Sequence, residues 1–187
     1  MQQIVFQRLE KCFFEDYDKQ VADVRAALCV PVDPHKRVEV LGRLGMLLLA
    51  DANTTPQGLR LLTEAYNCSL ELGLPRHIAR NRIRLATALQ YCGTHELALA
   101  EFDAALEYIC KQKILRMKDF ALQHKAKCLV EMGRLAEAVV CFGDALRLRR
   151  NRNATDLVRS TVRAMEAVEQ MRSNHLQNCS GERDFLP

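Results

Sequence analysis

The chain has 187 residues, 49% of them apolar, so it is long enough to bury one continuous hydrophobic core. With only 8 glycines, 5 prolines and no tryptophan, its composition favours helices over a turn-rich all-β fold. The formal net charge of +4 is a mild excess that does not by itself demand a polyanionic partner. The positive charge is concentrated in residues 76–152.

Hydropathy and cysteine spacing bear on the location of the protein in the cell and on disulfide and metal sites. No apolar run approaches the roughly 18–20 residues of a membrane span, and the start of the chain lacks a signal-peptide core. We therefore expect a cytoplasmic protein without membrane contact. The eight cysteines include no CxxC pair, so we expect them to be reduced and buried as small hydrophobes. His124 and Cys128, one helical turn apart, make only half a zinc site, so we expect no metal and no cofactor.

Apolar residues at helical spacing, together with helix-start and helix-stop signals, predict helices along the chain. A first pair at 3–14 and 18–29 is either a decayed repeat or an amino-terminal cap. Asp33-Pro34 and Thr55-Pro56 each begin a helix, and Gly73 ends the second of them. Further helices are predicted at 75–92, 94–110, 115–132, 135–148 and 154–172.

We expect residues 1–172 to form one helical domain, followed by a mobile tail at 173–187. The expected units within the domain are, in order, 1–33, 34–74, 75–114, 115–152 and a capping helix at 153–172.

A 40-residue repeat runs through these helices. Five residues of the segment 85–105 recur 40 positions later, and weaker matches lie 40 positions earlier. Asn53 lies where Gly93 and Gly133 lie, and we expect it to adopt the left-handed conformation of a helix-ending turn. A fixed period in an all-helical pattern indicates a solenoid of helix pairs. The three matched sets are Leu49, Asn53, Gly58, Leu62 and Ala65; Leu89, Gly93, Ala98, Phe102 and Ala105; and Leu129, Gly133, Ala138, Phe142 and Ala145.

The spacing Gly93, Ala98, Phe102, Ala105 resembles the second helix of the tetratricopeptide repeat family, in which a turn glycine precedes a small, a large apolar and an alanine residue. The resemblance covers about residues 38–152. It implies an all-α, right-handed α-solenoid of about four tetratricopeptide-like helix pairs with a carboxy-terminal capping helix. The period of 40 exceeds the usual length of about 34. Longer helices are therefore implied, as in relatives that resemble kinesin light chain.

The resemblance also implies a binding surface on the concave groove, which the first helix of each pair lines. Arg80 and Arg84 could each meet a carboxylate of an extended acidic peptide, although solvated arginines are the simpler alternative. Leu47 and Thr87 stand where chaperone-binding members of the family carry asparagines, so their strict carboxylate clamp is not matched. The candidate peptide-binding residues are Arg43, Leu47, Arg80, Arg84, Thr87, Tyr91, Gln123, His124 and Lys127.

The sequence carries no phosphate-binding loop, no HExxH and no GxSxG, so we expect no enzyme. Our preferred interpretation is a non-catalytic protein-interaction module, acting as a scaffold, adaptor or chaperone-like regulator, that binds an extended acidic segment of a partner. The alternative is nucleic-acid binding through a basic cluster, which lacks interleaved aromatic residues for stacking. Association with a second copy is left open. The basic cluster comprises Arg147, Arg149, Arg150 and Arg152.

Overall fold

The computed structural model describes residues 15–30 and 33–181, with side chains up to residue 173. All regular structure in this part of the chain is helical, and the helix predicted at 3–14 lies outside it. The elements are α1 (Tyr17–Cys29), α2 (Pro34–Leu48), α3 (Thr55–Glu71), α4 (Pro75–Tyr91), α5 (His95–Lys111), a 3₁₀ turn (Leu115–Met117), α6 (Lys118–Glu131), α7 (Leu135–Arg150) and α8 (Thr155–Gly181).

The helices form an α-solenoid, as the repeat predicted. Each helix packs against its neighbours along the chain, and α2, α4 and α6 also contact one another in that order. The pairs α2/α3, α4/α5 and α6/α7 therefore stack, with α1 against α2 and α8 against α7. Stacking gives each pair a neighbour on which to bury the apolar face that it cannot bury alone.

The residues that define the repeat form the core of each pair. Ala98, Phe102 and Ala105 have no exposed surface, and neither do their equivalents in α7. In the first pair the place of the small residue is taken by Gly58. An added Cβ there would lie 2.8 Å from the carbonyl oxygen of Gly45, so α2 and α3 approach too closely for a side chain at that contact.

A left-handed residue ends each of the helices α3 to α7, at intervals of 20 residues. At α4, for example, the Thr94 N–H donates to the Leu89 carbonyl at 3.0 Å, one residue after the left-handed Gly93. The other four turns contain the same bond to the carbonyl five residues back, which is the Schellman arrangement. The left-handed residues are Gly73 (φ 59°), Gly93 (79°), Lys113 (55°), Gly133 (75°) and Asn153 (54°).

The prediction for Asn53 is wrong, because this residue does not have a positive φ. The connection between α2 and α3 is longer than the later ones and is held by side chains. Asp51 Oδ1 accepts from the Asn53 N–H at 2.9 Å, and Thr54 Oγ1 donates to the Leu48 carbonyl at 2.8 Å. These bonds satisfy the end of α2 without a left-handed residue.

The capping helix α8 extends to Gly181, beyond the end predicted at residue 172. The expected tail at 173–187 is therefore helical as far as Gly181, and its remainder lies outside the described residues. Between 173 and 180 the sequence has no proline and no glycine, so nothing interrupts the backbone hydrogen bonds of the helix.

The six cysteines whose side chains the structure describes are free thiols. Cys128 is buried, and burial is the main cause that raises its pKa to about 12. Cys29, Cys92 and Cys110 are exposed, so the prediction of buried cysteines is wrong for these three. They lie in the last turn of a helix or just after it, where the chain leaves the core.

Candidate functional site

A groove of about 740 Å³ lies along α4 and α6 and is bordered by the connection between α5 and α6. One residue of α2, Met46, also contributes to its wall. We call this feature the basic groove. It is lined by Met46, Arg76, Arg80, Ile83, Arg84, Lys113, Ile114, Leu115, Arg116, Met117, Phe120 and His124.

The basic groove combines positive charge with apolar surface. Arg76, Arg80 and Arg84 recur every four residues along α4, and Lys113 and Arg116 add two more cations. Its lining includes no carboxylate. Large apolar side chains are also open to solvent in it, since Leu115 is 58% and Phe120 40% exposed. A groove lined by one sign of charge concentrates ligands of the opposite charge.

Arg84 is half-buried where α4 faces α2. Its Nη1 lies 3.4 Å from Asn81 Oδ1, and Asn81 Nδ2 donates to the Ala65 carbonyl at 3.2 Å. An added Cβ on Gly42 of α2 would lie 2.5 Å from Nη1 and 2.7 Å from Asn81 Oδ1. The missing side chain at Gly42 therefore leaves the space that the guanidinium occupies.

The charge of Arg84 is only partly offset by its surroundings. Burial, followed by the nearby charge of Arg80, lowers the pKa of Arg84 to about 10, while Glu39 acts in the opposite direction. That value is still far above neutral pH, so the guanidinium remains charged. No carboxylate of the described residues forms an ion pair with it.

Of the predicted site residues, the structure brings Arg80, Arg84 and His124 together in the basic groove. His124 Nδ1 lies 3.3 Å from Thr87 Oγ1. Burial, with added repulsion from Lys127 and Arg149, lowers the pKa of His124 to about 3. His124 is therefore neutral at physiological pH and acts as a hydrogen-bonding group in the groove wall.

Leu47, Thr87 and Gln123 were predicted to line the peptide-binding surface, but they are buried, at 4%, 2% and 5% exposed. Leu47 belongs to the core cluster shared with α1. Thr87 Oγ1 donates to the Ile83 carbonyl at 2.9 Å on the side of α4 that faces α6. Gln123 Oε1 accepts a hydrogen bond from a buried arginine. The first helices of successive pairs, α2, α4 and α6, contact one another in this solenoid. Each of them is therefore covered both by its own pair and, on much of its opposite side, by a neighbouring first helix.

Three further predicted residues lie apart from the basic groove. Arg43 is exposed but does not line it. Tyr91 is half-buried and packs against a cluster that contains Leu49 and Leu62. Lys127 is half-buried, and burial followed by the charge of Arg149 lowers its pKa.

Sequence reasoning missed Arg76, Lys113, Arg116 and Phe120 as groove residues. Arg76 could have been predicted from the sequence, because it lies four residues before Arg80 and so on the same side of α4. Lys113 and Arg116 flank apolar residues just before α6, a pattern that also indicates an exposed amphipathic segment.

The basic cluster of the alternative interpretation is only partly exposed, because one of its four arginines is buried. Arg149 is 2% exposed, and its Nε lies 2.9 Å from Oδ2 of Asp119, which is fully buried. Arg152 Nη2 lies 2.6 Å from the other carboxylate oxygen. Arg147 pairs with Asp144 at 2.9 Å. The cluster therefore presents Arg147, Arg150 and Arg152 to solvent but not Arg149, and nucleic-acid binding there stays a prediction.

The described residues contain no group of three potential metal ligands among His, Cys, Asp and Glu. Within 15–30 and 33–181, none of the helices combines the length and the apolarity that crossing a membrane requires.

No protein-family model and no curated protein matches the sequence. Eleven chains of solved structures match the fold. One of them, a Rap protein complexed with competence and sporulation factor, aligns with a TM-score of 0.76 and 16% sequence identity. The match covers 91% of this chain and 48% of that chain, so this chain spans about half the length of the Rap protein. At this identity the likeness shows the fold alone, which is a tetratricopeptide-like helical repeat.

Proposed function

We propose that this chain is a non-catalytic protein-interaction module that binds an extended, acidic peptide segment of a partner in the basic groove. The observation that carries the proposal is the lining of the groove, with five cationic side chains, no carboxylate and two exposed apolar residues. The Rap protein of like fold is complexed with competence and sporulation factor, which supports a binding role for such a solenoid. On this proposal the chain serves as a scaffold, adaptor or chaperone-like regulator in the cytoplasm.

The charged and the apolar surface of the basic groove contribute to binding in different ways. Exposed ion pairs contribute only about 0–1 kcal/mol each, so charge attraction alone would give a weak and unspecific complex. Leu115 and Phe120 offer apolar area at which peptide side chains lose contact with water. Arg84, which is already partly desolvated, makes a stronger anchor than a fully solvated arginine.

The test uses fluorescein-labelled pools of degenerate nine-residue peptides that carry three fixed glutamates or three fixed lysines. We expect fluorescence anisotropy to show binding of the glutamate pool and none of the lysine pool. Arg80→Glu should weaken binding of the glutamate pool by at least about tenfold, because it places a like charge in the groove. Raised salt should weaken binding as well.

The matched control is Arg147→Glu, which makes the same charge change at an exposed position of α7 outside the groove. It should leave peptide binding unchanged. Equal binding of both pools, or equal losses in the two variants, would contradict the proposal. Circular dichroism melting of both variants keeps an effect on folding separate from an effect on binding.

A further inference from the structure

We propose that Arg80 and Arg84 form a subsite for a dianionic phosphoryl group on the bound peptide, and that Gly42 makes this subsite possible. The inference rests on the proposed function, since it names the chemical group that the basic groove prefers.

The two arginines are poorly matched to a single carboxylate. They lie one helical turn apart on α4, and the charge of Arg80 disfavours that of Arg84. Lys113 and Arg116 add positive charge to the same groove, whose lining has no acid. One carboxylate would neutralise only one guanidinium. A phosphoryl group carries about −1.5 to −2 charges at pH 7 and has three acceptor oxygens, so it can meet both.

Arg84 has hydrogen-bond donors to offer such a group. A guanidinium has five N–H donors. The bond that the described structure gives Arg84 is a long one, 3.4 Å from Nη1 to Asn81 Oδ1. The other donors are therefore able to form forked bonds with phosphoryl oxygens, which is the geometry that arginine provides best.

Because Gly42 has no side chain, the guanidinium of Arg84 can occupy the space beside it. In Gly42→Ala the new methyl group would lie 2.5 Å from Nη1 of Arg84 and 2.7 Å from Oδ1 of Asn81, so the flexible end of Arg84 and the Asn81 amide must both shift. The substitution removes no charge, and alanine is a better helix former than glycine within α2. It therefore changes the positions of the Arg84 guanidinium and of the Asn81 amide beside it, and it leaves the net charge of the groove unchanged.

The experiment compares three degenerate nine-residue peptide pools that differ only at the central residue, which is serine, glutamate or phosphoserine. Fluorescence anisotropy with the full chain at constant ionic strength gives the three dissociation constants. We expect the phosphoserine pool to bind at least about tenfold more tightly than the glutamate pool. This preference should decline between pH 7.5 and 5.5, because the second phosphoryl pKa is about 6.

Gly42→Ala should reduce the phosphoserine preference to less than about threefold while the glutamate pool still binds. The matched control is Gly143→Ala in α7, where an added Cβ has nothing within 4 Å, and its preference should equal that of the unaltered chain.

Equal affinities for the glutamate and phosphoserine pools would overturn this inference and leave the proposed function standing. Absence of binding by both pools would overturn the two together. A Gly42→Ala chain that keeps the full preference would refute the role of the space at Gly42. Tighter binding of a nine-nucleotide oligothymidylate than of the phosphoserine pool would assign the subsite to nucleic acid and overturn the peptide assignment.

Discussion

Replacing Asp119 with alanine should lower the free energy of unfolding by about 3–5 kcal/mol, because it leaves a buried positive charge without its counter-ion. Asp119 is fully buried, and one carboxylate oxygen lies 2.9 Å from Arg149 Nε. In the variant, Arg149 would still donate to Thr161 Oγ1, at 2.6 Å, and to the Leu157 carbonyl, at 3.2 Å. These acceptors are neutral, so they satisfy the hydrogen bonds but not the charge.

The loss should be visible in thermal and in urea unfolding. For a domain of this size about 1 kcal/mol corresponds to roughly 2–4 °C, so the midpoint should fall by about 6–20 °C. Asp119→Asn keeps the side-chain volume and removes the charge. Comparing it with Asp119→Ala therefore separates the loss of stability due to the missing charge from the loss due to the cavity that alanine leaves. In combination with Arg149→Met it should be less damaging than the sum of the two single changes, since the second substitution removes the stranded charge.

The matched control is Asp144→Ala, which breaks the exposed pair with Arg147 and should cost at most about 1 kcal/mol. Arg149 of α7 bonds both Asp119 of α6 and Thr161 of α8. If Asp119→Ala lowers the free energy of unfolding no more than this control does, the ion pair between Asp119 and Arg149 does not stabilise the packing of these helices.

Three further predictions concern the core, a turn and pH. Phe102→Ala should lower the free energy of unfolding by about 3–5 kcal/mol in urea melts, because it empties a fully buried site. Lys113→Gly should raise it by about 1 kcal/mol, because Lys113 adopts a left-handed conformation (φ 55°) that disfavours a side chain. The pKa of His124 is about 3 in the folded chain, below its ordinary value of 6.5, so the unfolded chain binds more protons between these values. Stability should therefore be complete above pH 6.5 and should decrease as the pH falls towards 3, and His124→Gln should flatten this dependence in melts across that range.

Each of these predictions has a control in the same chain. Phe120→Ala, at a 40% exposed position, should cost far less than Phe102→Ala. Gly93→Ala should destabilise by about 1–2 kcal/mol, because its only obstacle is the left-handed backbone. Gly143→Ala, which removes no ionisable group and has nothing within 4 Å of the added Cβ, should leave the pH dependence of stability unchanged. A result in which any variant behaves like its control would contradict the corresponding explanation.

The sequence alone determined the helices, the repeat and the core of each pair. Gly93 followed by Ala98, Phe102 and Ala105 predicted both a turn and a buried face, and the structure confirms both. This worked because a turn glycine and an apolar stripe express local backbone and helix geometry, which recur in each repeat whatever the neighbouring pair contributes. Arg80 and Arg84 were placed on one side of α4 for the same reason.

The tertiary structure alone decided which polar residues are covered and which are open to a ligand. Helical periodicity gives the side of a helix on which Thr87 or Gln123 lies, but burial depends on a first helix about forty residues away in the chain. Arg149 was assigned to a basic cluster that could bind nucleic acid, but it is buried because Asp119 and α8 surround it. Lys113 enters the groove in a left-handed turn that its own propensity disfavours. At Lys113 the packing of whole helices overrides the backbone preference of lysine. The sequence of a single segment cannot reveal this, because it does not contain the neighbouring helices.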